Sequence, residues 1–222
     1  MSRPVVLSWS GGKDSALALD ALSRDPEIEV VGLLTSVTSD YDRISVHGVR
    51  RSMLEAQVQR LGLPLFEIAL TPACTNDEYD AAFHRALEDI RRALPEVRQI
   101  AFGDLFLQDV RLYREKLLAD TGFEPIFPLW GIDTAVLAKR FIDEGFGAHL
   151  VCVDTTQLDA GFAGRAFDEK LLADLPSTVD PCGERGEFHT FVWSGPPFRE
   201  AVPYRLGERV LRDDRFMYCD VE

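Results

Sequence analysis

The sequence lacks a long apolar run, a cysteine framework and an excess of basic residues. No apolar run reaches the roughly 20 residues that cross a bilayer, and the first residues do not read as a signal peptide. We therefore expect a cytoplasmic protein without membrane contacts. The 4 cysteines are scattered and form no C-x-x-C pair, which argues against a structural zinc site or a disulfide framework.

The charge balance argues against a general nucleic-acid binder. The chain of 222 residues carries 37 acidic against 24 basic residues, a formal net charge of −13. Affinity for nucleic acid rests largely on basic contacts to phosphates, so nucleic acid is not an expected partner. The length suffices for one large domain or two small ones.

The first half of the chain has the pattern of an α/β domain. Apolar strands alternate with helix-like segments to about residue 125, and the strands are continuously apolar, which is typical of a parallel sheet covered on both faces. Thr75 and Glu78 fit a capping box, and Gly62 and Gly122 are placed to end helices. We predict a three-layer α/β domain.

The texture changes between residues 124 and 131, where the chain becomes rich in proline and aromatic residues. We place the domains at 1–126 and 127–222. The second part reads as a helix, a strand, a long glycine-containing loop, a short helix stopped by Pro176 and a terminal hairpin turning near Asp213 and Asp214. It is predicted to be a smaller α/β domain.

The stretch "SGGKDS" at residues 10–15 follows the first strand and opens the first helix. Gly11 and Gly12 allow a ligand close approach, the helix start offers N–H groups and a positive dipole end, and Lys13 adds a full charge. These features predict a cradle for phosphate or pyrophosphate. In the less specific alternative, Gly-Gly makes a tight turn and Asp14 or Ser15 caps the helix.

A second group of candidates follows the fourth apolar strand, in "FGDLFLQDVRLYRE". Asp104 and Asp109 can hold Mg²⁺ or orient a substrate, while Arg111 and Arg114 lie three apart on one helical face and can meet a carboxylate or phosphate. The alternative is a solvated helix start, in which Asp109 favours the helix dipole. Gly103 belongs to the same stretch.

A third group lies in "GERGEFHT", where Glu184 and Glu187 are three residues apart and flanked by glycines. That arrangement suits a site that needs carboxylates. The alternative is an exposed loop, with His189 as a structural histidine. Cys182 precedes the stretch, and nothing near it in sequence lowers a thiol pKa, so we read it as a bystander.

"SGGKDS" resembles the PP-loop of N-type ATP pyrophosphatases, which cleave ATP between the α and β phosphates. Together with "FGDLFLQDVRLYRE", "PLWG" and "GERGEFHTFV", in this order, it resembles the diphthine–ammonia ligase family over roughly residues 4 to 198. The chain departs from that pattern at Arg185, where a glycine is usual, and in the segment before Arg111. These departures resemble a bacterial branch of the family.

The resemblance implies a HUP-like PP-loop domain with ATP and Mg²⁺, and a smaller C-terminal domain closing over the site. It implies that the carboxylate of diphthine, a modified histidine of elongation factor 2, becomes an acyl-adenylate that ammonia or ammonium converts to the amide. More generally, the acceptor carboxylate belongs to a small molecule or a protein. A homodimer is one option for the assembly.

Roles follow from the resemblance by position. Expected catalytic residues are Lys13, Asp104, Glu184 and Glu187, and Asp14 is the expected metal ligand. Expected nucleotide-binding residues are Ser8, Ser10, Gly11, Gly12, Lys13, Asp14, Ser15 and Thr35, the last at the end of the second strand, where adenine is expected. Expected substrate-binding residues are Gly103, Asp109, Arg111, Arg114, Trp130, Gly183, His189 and Thr190.

Three other functions remain open at this point. One is a PP-loop enzyme that modifies tRNA, which the charge, the missing C-x-x-C pair and the lack of a basic arm disfavour. Another is an ATP α–β hydrolase with water as acceptor. The third is a non-catalytic adenine-nucleotide sensor, which the carboxyl-rich "GERGE" stretch disfavours.

Overall fold

The computed structural model describes residues 2–38, 43–44 and 48–222. It is an α/β structure with two sheets, as predicted. The first sheet contains β1 (Arg3–Ser8), β2 (Ile28–Thr38), β3 (Arg43–Ile44), β4 (Leu65–Leu70), β5 (Gln99–Ala101) and β6 (Glu124–Ile126). Its helices are α1 (Lys13–Ser23), α2 (Arg51–Leu61), α3 (Asn76–Ala93) and α4 (Gln108–Leu118).

The first sheet is parallel except at one edge. β1 pairs with β2 and β5, β2 with β4, and β5 with β6, all in parallel. β3, which the sequence pattern did not reveal, pairs antiparallel with the end of β2. β6 was also missed: it lies inside the segment where we placed the domain boundary, and its Pro125 is accommodated because a three-residue strand needs few ladder bonds.

Helices cover both faces of this sheet, which confirms the three-layer prediction. Val5 and Leu7 of β1 pack in one buried cluster with residues of α1 and α2, whereas Val6 packs in a second cluster with residues of α3 and α4. The alternation follows from the pleat of the strand. Because the helices after β1 and β5 lie on opposite faces, a crevice opens between the carboxyl ends of these neighbouring strands.

Local signals account for some of the helix ends. Thr75 and Glu78 form the predicted capping box at the start of α3, and Gly62 ends α2 with a left-handed backbone, φ 69°. The predicted end of α4 at Gly122 is wrong: the helix stops at Leu118, and Ala119 is the cap. Asp120 and Gly122 both have positive φ, so the turn begins before the glycine.

The second sheet is antiparallel, in the order β8-β7-β10-β9. Its strands are β7 (Gly147–Asp154), β8 (Phe188–Ser194), β9 (Leu206–Arg212) and β10 (Phe216–Val221), with helices α5 (Thr134–Asp143) and α6 (Glu169–Asp174). β9 and β10 form the predicted hairpin, turning at Asp213 and Asp214, both with positive φ. One buried cluster runs from α1 through α5 to β7 and β8 and joins the two sheets.

Candidate functional site

A cleft of about 730 Å³ lies at the carboxyl ends of β1, β2, β4 and β5. The loop before β8 and the start of β8 form its opposite wall, so both sheets contribute to it. It gathers fourteen of the residues expected at the site. These are Ser8, Ser10, Lys13, Asp14, Ser15, Thr35, Gly103, Asp104, Asp109, Arg114, Gly183, Glu184, His189 and Thr190.

The Gly-Gly loop (residues 10–15) turns from β1 into α1 with a left-handed backbone at Gly11, φ 77°. α1 begins after Gly12, which has no side chain to cap the helix, so the structure does not support Asp14 or Ser15 as the cap residue. The Ser10 and Ser15 hydroxyls lie 3.3 Å apart, and the Ser15 hydroxyl donates to the Gly12 carbonyl at 2.9 Å. The loop presents a helix N-terminus to the cleft, which suits an anion.

Lys13 and Asp14 form a buried ion pair at the floor of this loop. The Lys13 ammonium lies 2.9 Å from Asp14 Oδ2, and the lysine side chain is 3% exposed. Burial is the largest single influence and lowers the pKa of Lys13, but the charge and hydrogen bond of Asp14, together with the nearby Cys182 and Glu184, outweigh it, so the pKa is raised and the lysine is protonated. Burial raises the pKa of Asp14, and Lys13 opposes that shift.

Gly103, Asp104 and Arg114 stand beside the loop, after β5 and on α4. A Cβ on Gly103 would lie 3.1 Å from the Asp14 carbonyl carbon, so glycine lets the segment after β5 approach the start of α1 closely. Asp104 Oδ2 lies 3.5 Å from Arg114 Nε, and burial raises the pKa of Asp104. Arg114 donates to the hydroxyl of Tyr79 at 3.2 Å and stacks on Phe102.

Glu184 reaches the cleft from the loop at residues 180–187. Its Oε1 accepts from the backbone N–H of Leu105 at 2.9 Å, which links this loop to the end of β5. Burial is the main cause that raises the pKa of Glu184 to about 7, with smaller contributions from Asp14 and Asp104. The charge of Lys13 lowers this pKa. Glu184, Lys13, Asp14 and Asp104 are therefore close enough to interact electrostatically.

The same loop is held together by two other carboxylates. Asp180 accepts from the N–H of Cys182 at 2.8 Å and from the hydroxyl of Thr134 at 2.7 Å. Glu187 accepts from the N–H of Asp180 at 2.8 Å and of Arg185 at 2.9 Å. Glu187 is 1% exposed and does not line the cleft, so its carboxylate positions the loop that carries Glu184.

Other expected residues lie off the cleft wall or have a further structural contact. Gly11 and Gly12 form the backbone of the Gly-Gly loop and do not line the cleft. Arg111 lies over the rings of Phe127 and Trp130, 4.9 and 4.8 Å from their centroids, so Arg111 and Arg114 diverge although they are three residues apart. The Thr35 hydroxyl lines the cleft and donates to the Trp9 carbonyl at 2.7 Å.

Sequence reasoning missed several residues of this region. Asn76, Tyr79 and Tyr113 line the cleft from α3 and α4, and only the fold brings these helices together. Gln57 of α2 is fully buried beside the Gly-Gly loop, and its one signal is a polar residue on the apolar face of a helix. Cys182 is buried and burial raises its thiol pKa, in line with a bystander.

The described part of the chain contains neither a membrane-spanning helix nor a metal-binding cluster of side chains. None of its helices combines the length and apolar character needed to cross a bilayer. Likewise, residues 2–38, 43–44 and 48–222 contain no cluster of three or more His, Cys, Asp or Glu side chains arranged to hold a metal ion.

Comparison with known proteins gives a consistent result along the chain. The family model "Diphthamide synthase N-terminal domain" matches residues 3–125, and "Diphthamide synthase C-terminal domain" matches residues 133–221. The chain is 25% identical to the diphthine–ammonia ligase of Danio rerio over 92% of this chain and 88% of that protein. It is 23% identical to that of Homo sapiens over 91% of this chain and 83% of that protein.

A relative from Schizosaccharomyces pombe, also named diphthine–ammonia ligase, is longer. It is 23% identical over 87% of this chain, but the match covers only 34% of the yeast protein.

Proposed function

The chain belongs to the diphthamide synthase family, and from this premise we propose that it is an ATP-dependent amide ligase. In the proposed reaction, ATP is cleaved to AMP and pyrophosphate, an acceptor carboxylate is adenylated, and ammonia converts the adenylate to an amide. One observation carries the proposal: an anion cradle with a protonated lysine faces, across one cleft, a buried carboxyl whose pKa is raised to about 7.

The Gly-Gly loop is the proposed binding site for the phosphates that leave as pyrophosphate. An acceptor carboxylate oxygen attacks the α-phosphorus, and the bond from that phosphorus to the bridging oxygen breaks. Negative charge then builds on the leaving pyrophosphate, where the α1 N-terminus and the Lys13 ammonium stabilise it. Adenine is proposed to lie near Thr35 at the end of β2, close to the backbone of the strand.

Asp14 and Asp104 fit a magnesium ion that accompanies ATP. Within the described residues, Asp14 Oδ1 is buried without a hydrogen-bond partner, and the buried Asp104 Oδ2 has no hydrogen bond beyond its 3.5 Å ion pair with Arg114 Nε. Magnesium is usually bound through one or two carboxylates, with phosphate oxygens and water completing its shell, so a cluster of three acidic residues is not required. When bound, the ion neutralises phosphate charge.

Glu184 is the proposed base for the second half-reaction. Ammonia attacks the acyl carbon, the bond from that carbon to AMP breaks, and the nitrogen must lose a proton. A carboxyl with a pKa of about 7 is available as a base near neutral pH and accepts that proton effectively. It also offers a negative site where ammonium binds before it loses its first proton.

Arg114 is the proposed contact for the acceptor carboxylate. Its guanidinium is held by Tyr79 and Phe102, so it is oriented in advance, and guanidinium groups bind carboxylates in two-pronged geometry. The relatives are named diphthine–ammonia ligases, which makes diphthine the first acceptor to test. A cytoplasmic location and no role for nucleic acid complete the proposal.

The test is to identify the products. The protein is incubated with ATP, Mg²⁺ and ammonium, with and without elongation factor 2 that carries diphthine, and AMP, ADP, pyrophosphate and the amide are resolved. AMP and pyrophosphate that depend on the acceptor, with amide formed in equal amount, support the ligase.

Other outcomes separate the alternatives. AMP and pyrophosphate without any acceptor indicate an α–β hydrolase, and stimulation by tRNA instead of the factor indicates a tRNA-modifying enzyme. ATP binding without cleavage under every condition indicates a sensor. ADP as product contradicts all of the AMP-forming proposals.

A further inference from the structure

The side chain of Gln57 joins three parts of the molecule that are distant in sequence. Its Nε2 donates to the carbonyl of Gly11 at 3.0 Å and to the carbonyl of Val192 at 2.7 Å. Its Oε1 accepts from Trp9 Nε1 at 3.2 Å. We call Gln57 and these three partners the Gln57 latch. It connects the end of β1, the Gly-Gly loop and β8.

We propose that Gln57 is a positioning residue that sets the Gly-Gly loop against β8 and thereby fixes both walls of the cleft. The side chain is fully buried, 0% exposed, both of its N–H donors are used, and its oxygen accepts from the Trp9 indole. A buried amide that is fully satisfied is rigid, whereas one that loses a partner is costly.

The surrounding contacts reinforce this role. The N–H of Val192 donates to the same Gly11 carbonyl at 2.9 Å, so Gly11 is bound by both the latch and β8. A Cβ on Gly11 would lie 2.7 Å from Gln57 Oε1, so any side chain at residue 11 would displace the Gln57 amide. Gly11 also carries the left-handed turn of the loop, and its carbonyl direction sets where the next N–H groups point.

Position matters here because the two walls act on the same ligand. The Gly-Gly loop is proposed to hold the phosphates, and the chain that enters β8 carries Glu184. A displacement of about 1 Å between such groups can cost roughly a hundredfold in rate. The inference rests on the proposed function for its catalytic consequence, but the latch itself is testable without any reaction.

The test compares Gln57→Met with the wild type in the full chain. Methionine is unbranched and close to glutamine in volume, so it fills the site and removes the three hydrogen bonds. Hydrogen exchange is measured by mass spectrometry on residues 10–16 and 188–194. We expect faster exchange in both segments, and a fall in kcat/KM for ATP of roughly tenfold to a hundredfold.

A stability control separates positioning from general damage. Ile90 is fully buried on the other face of the sheet. The free energy of unfolding should fall less in Ile90→Val, and more in Ile90→Ala, than in Gln57→Met. They should leave exchange in the two segments and ATP affinity unchanged. If Gln57→Met does not fold, Gln57→Asn keeps the amide but shortens its reach and provides the same comparison.

The outcomes for the latch and for the ligase are distinct. Unchanged exchange in both segments, with ATP affinity equal to that of the wild type, overturns the latch whatever the enzyme does. Faster exchange in a protein whose wild type neither binds nor cleaves ATP supports the latch and contradicts the proposed function.

Discussion

The hydroxyl of Thr190 accepts a hydrogen bond from the backbone N–H of Lys13 at 3.0 Å. Lys13 is the first residue of α1, and Thr190 lies in β8, 177 positions later in the chain. An N–H at a helix start is one of the groups that has no partner within its helix. Thr190 of the second sheet therefore supplies part of the support of the Gly-Gly loop, and both sheets line the cleft.

Lys13→Met should abolish most pyrophosphate release. Removing one group that stabilises transition-state charge usually costs 10²- to 10³-fold in rate. Because Lys13 is paired with Asp14 in a buried site, the single variant also loses stability, on the order of 3–5 kcal/mol. Rates are measured by coupled detection of pyrophosphate, and folding by thermal denaturation.

Two controls test the cause of that loss. Lys139 is 66% exposed on α5, and Lys139→Met should leave both rate and stability unchanged. The double variant Lys13→Met, Asp14→Asn removes the uncompensated charge and should recover stability without recovering the rate. Recovery of the rate as well would contradict a role for the lysine charge.

Glu184 should make the protein less stable as the pH rises. Its pKa is raised to about 7 in the folded chain from an ordinary value of 4.5. Between these values the folded state binds more protons than the unfolded state, so the free energy of unfolding falls with rising pH. The cost is absent below pH 4.5, is complete above pH 7, and amounts to about 3 kcal/mol at most.

Urea denaturation at pH 5 and pH 8 measures this effect. Glu184→Gln keeps an acceptor for the Leu105 N–H but does not ionise, so it should gain stability over the wild type mainly at pH 8. Glu208→Gln, on an exposed strand, should give one constant difference at both values. A constant difference for Glu184→Gln too would mean that burial does not perturb this carboxyl.

How much could be predicted from the sequence depended on whether the signal was local. The loop at residues 10–15, the capping box at Thr75 and the turn at Asp213 are set by neighbouring residues and were predicted. Gln57 and Tyr79 reach the site through the packing of α2 and α3, which no local pattern encodes.

The two arginines of α4 show a second limit of prediction from the sequence. Their spacing predicts one shared helical face, but Arg111 stacks on Phe127 and Trp130 while Arg114 turns to Tyr79 and Phe102. Long side chains on one face separate when aromatic partners lie on either side.

Gly103→Ala should weaken ATP binding while leaving the fold intact. Its Cβ would lie 3.1 Å from the Asp14 carbonyl carbon and oxygen and 3.2 Å from the Ser15 nitrogen. These are backbone atoms that cannot rotate away, so β5 and the start of α1 must separate by a few tenths of an ångström. Calorimetry with ATP should give an affinity lower by roughly tenfold.

Gly161→Ala is the matched control for that substitution. Its Cβ would meet only the carboxylate of Asp159, a side chain that can move, and neither residue lines the cleft. It should therefore bind ATP as the wild type does. If Gly103→Ala binds ATP with wild-type affinity, the close approach of β5 to the start of α1 does not shape the nucleotide site.

Glu187→Gln and Glu184→Gln should have different effects although the two residues are three apart. The first should mainly lower stability, and the second should mainly lower the rate and change its pH dependence. Glu187 binds two backbone N–H groups inside its own loop, so glutamine keeps one acceptor and turns an N–H donor toward the other N–H. We expect a loss of about 1–3 kcal/mol in stability and a modest fall in rate that is the same at every pH. Glu184→Gln should instead lower the rate of amide formation about 10²-fold or more and remove the rise in rate through pH 7.

The comparison is made on pH profiles of amide formation, with thermal unfolding measured in parallel. A loss of the pH-dependent limb in Glu187→Gln, with stability unchanged, would assign the base to Glu187 and contradict a positioning role. A flat profile in the wild type would contradict a base of this pKa at either position. Because the two carboxylates share a loop but differ in what they bind, the shape of the profile separates chemistry from support where the size of the rate loss alone does not.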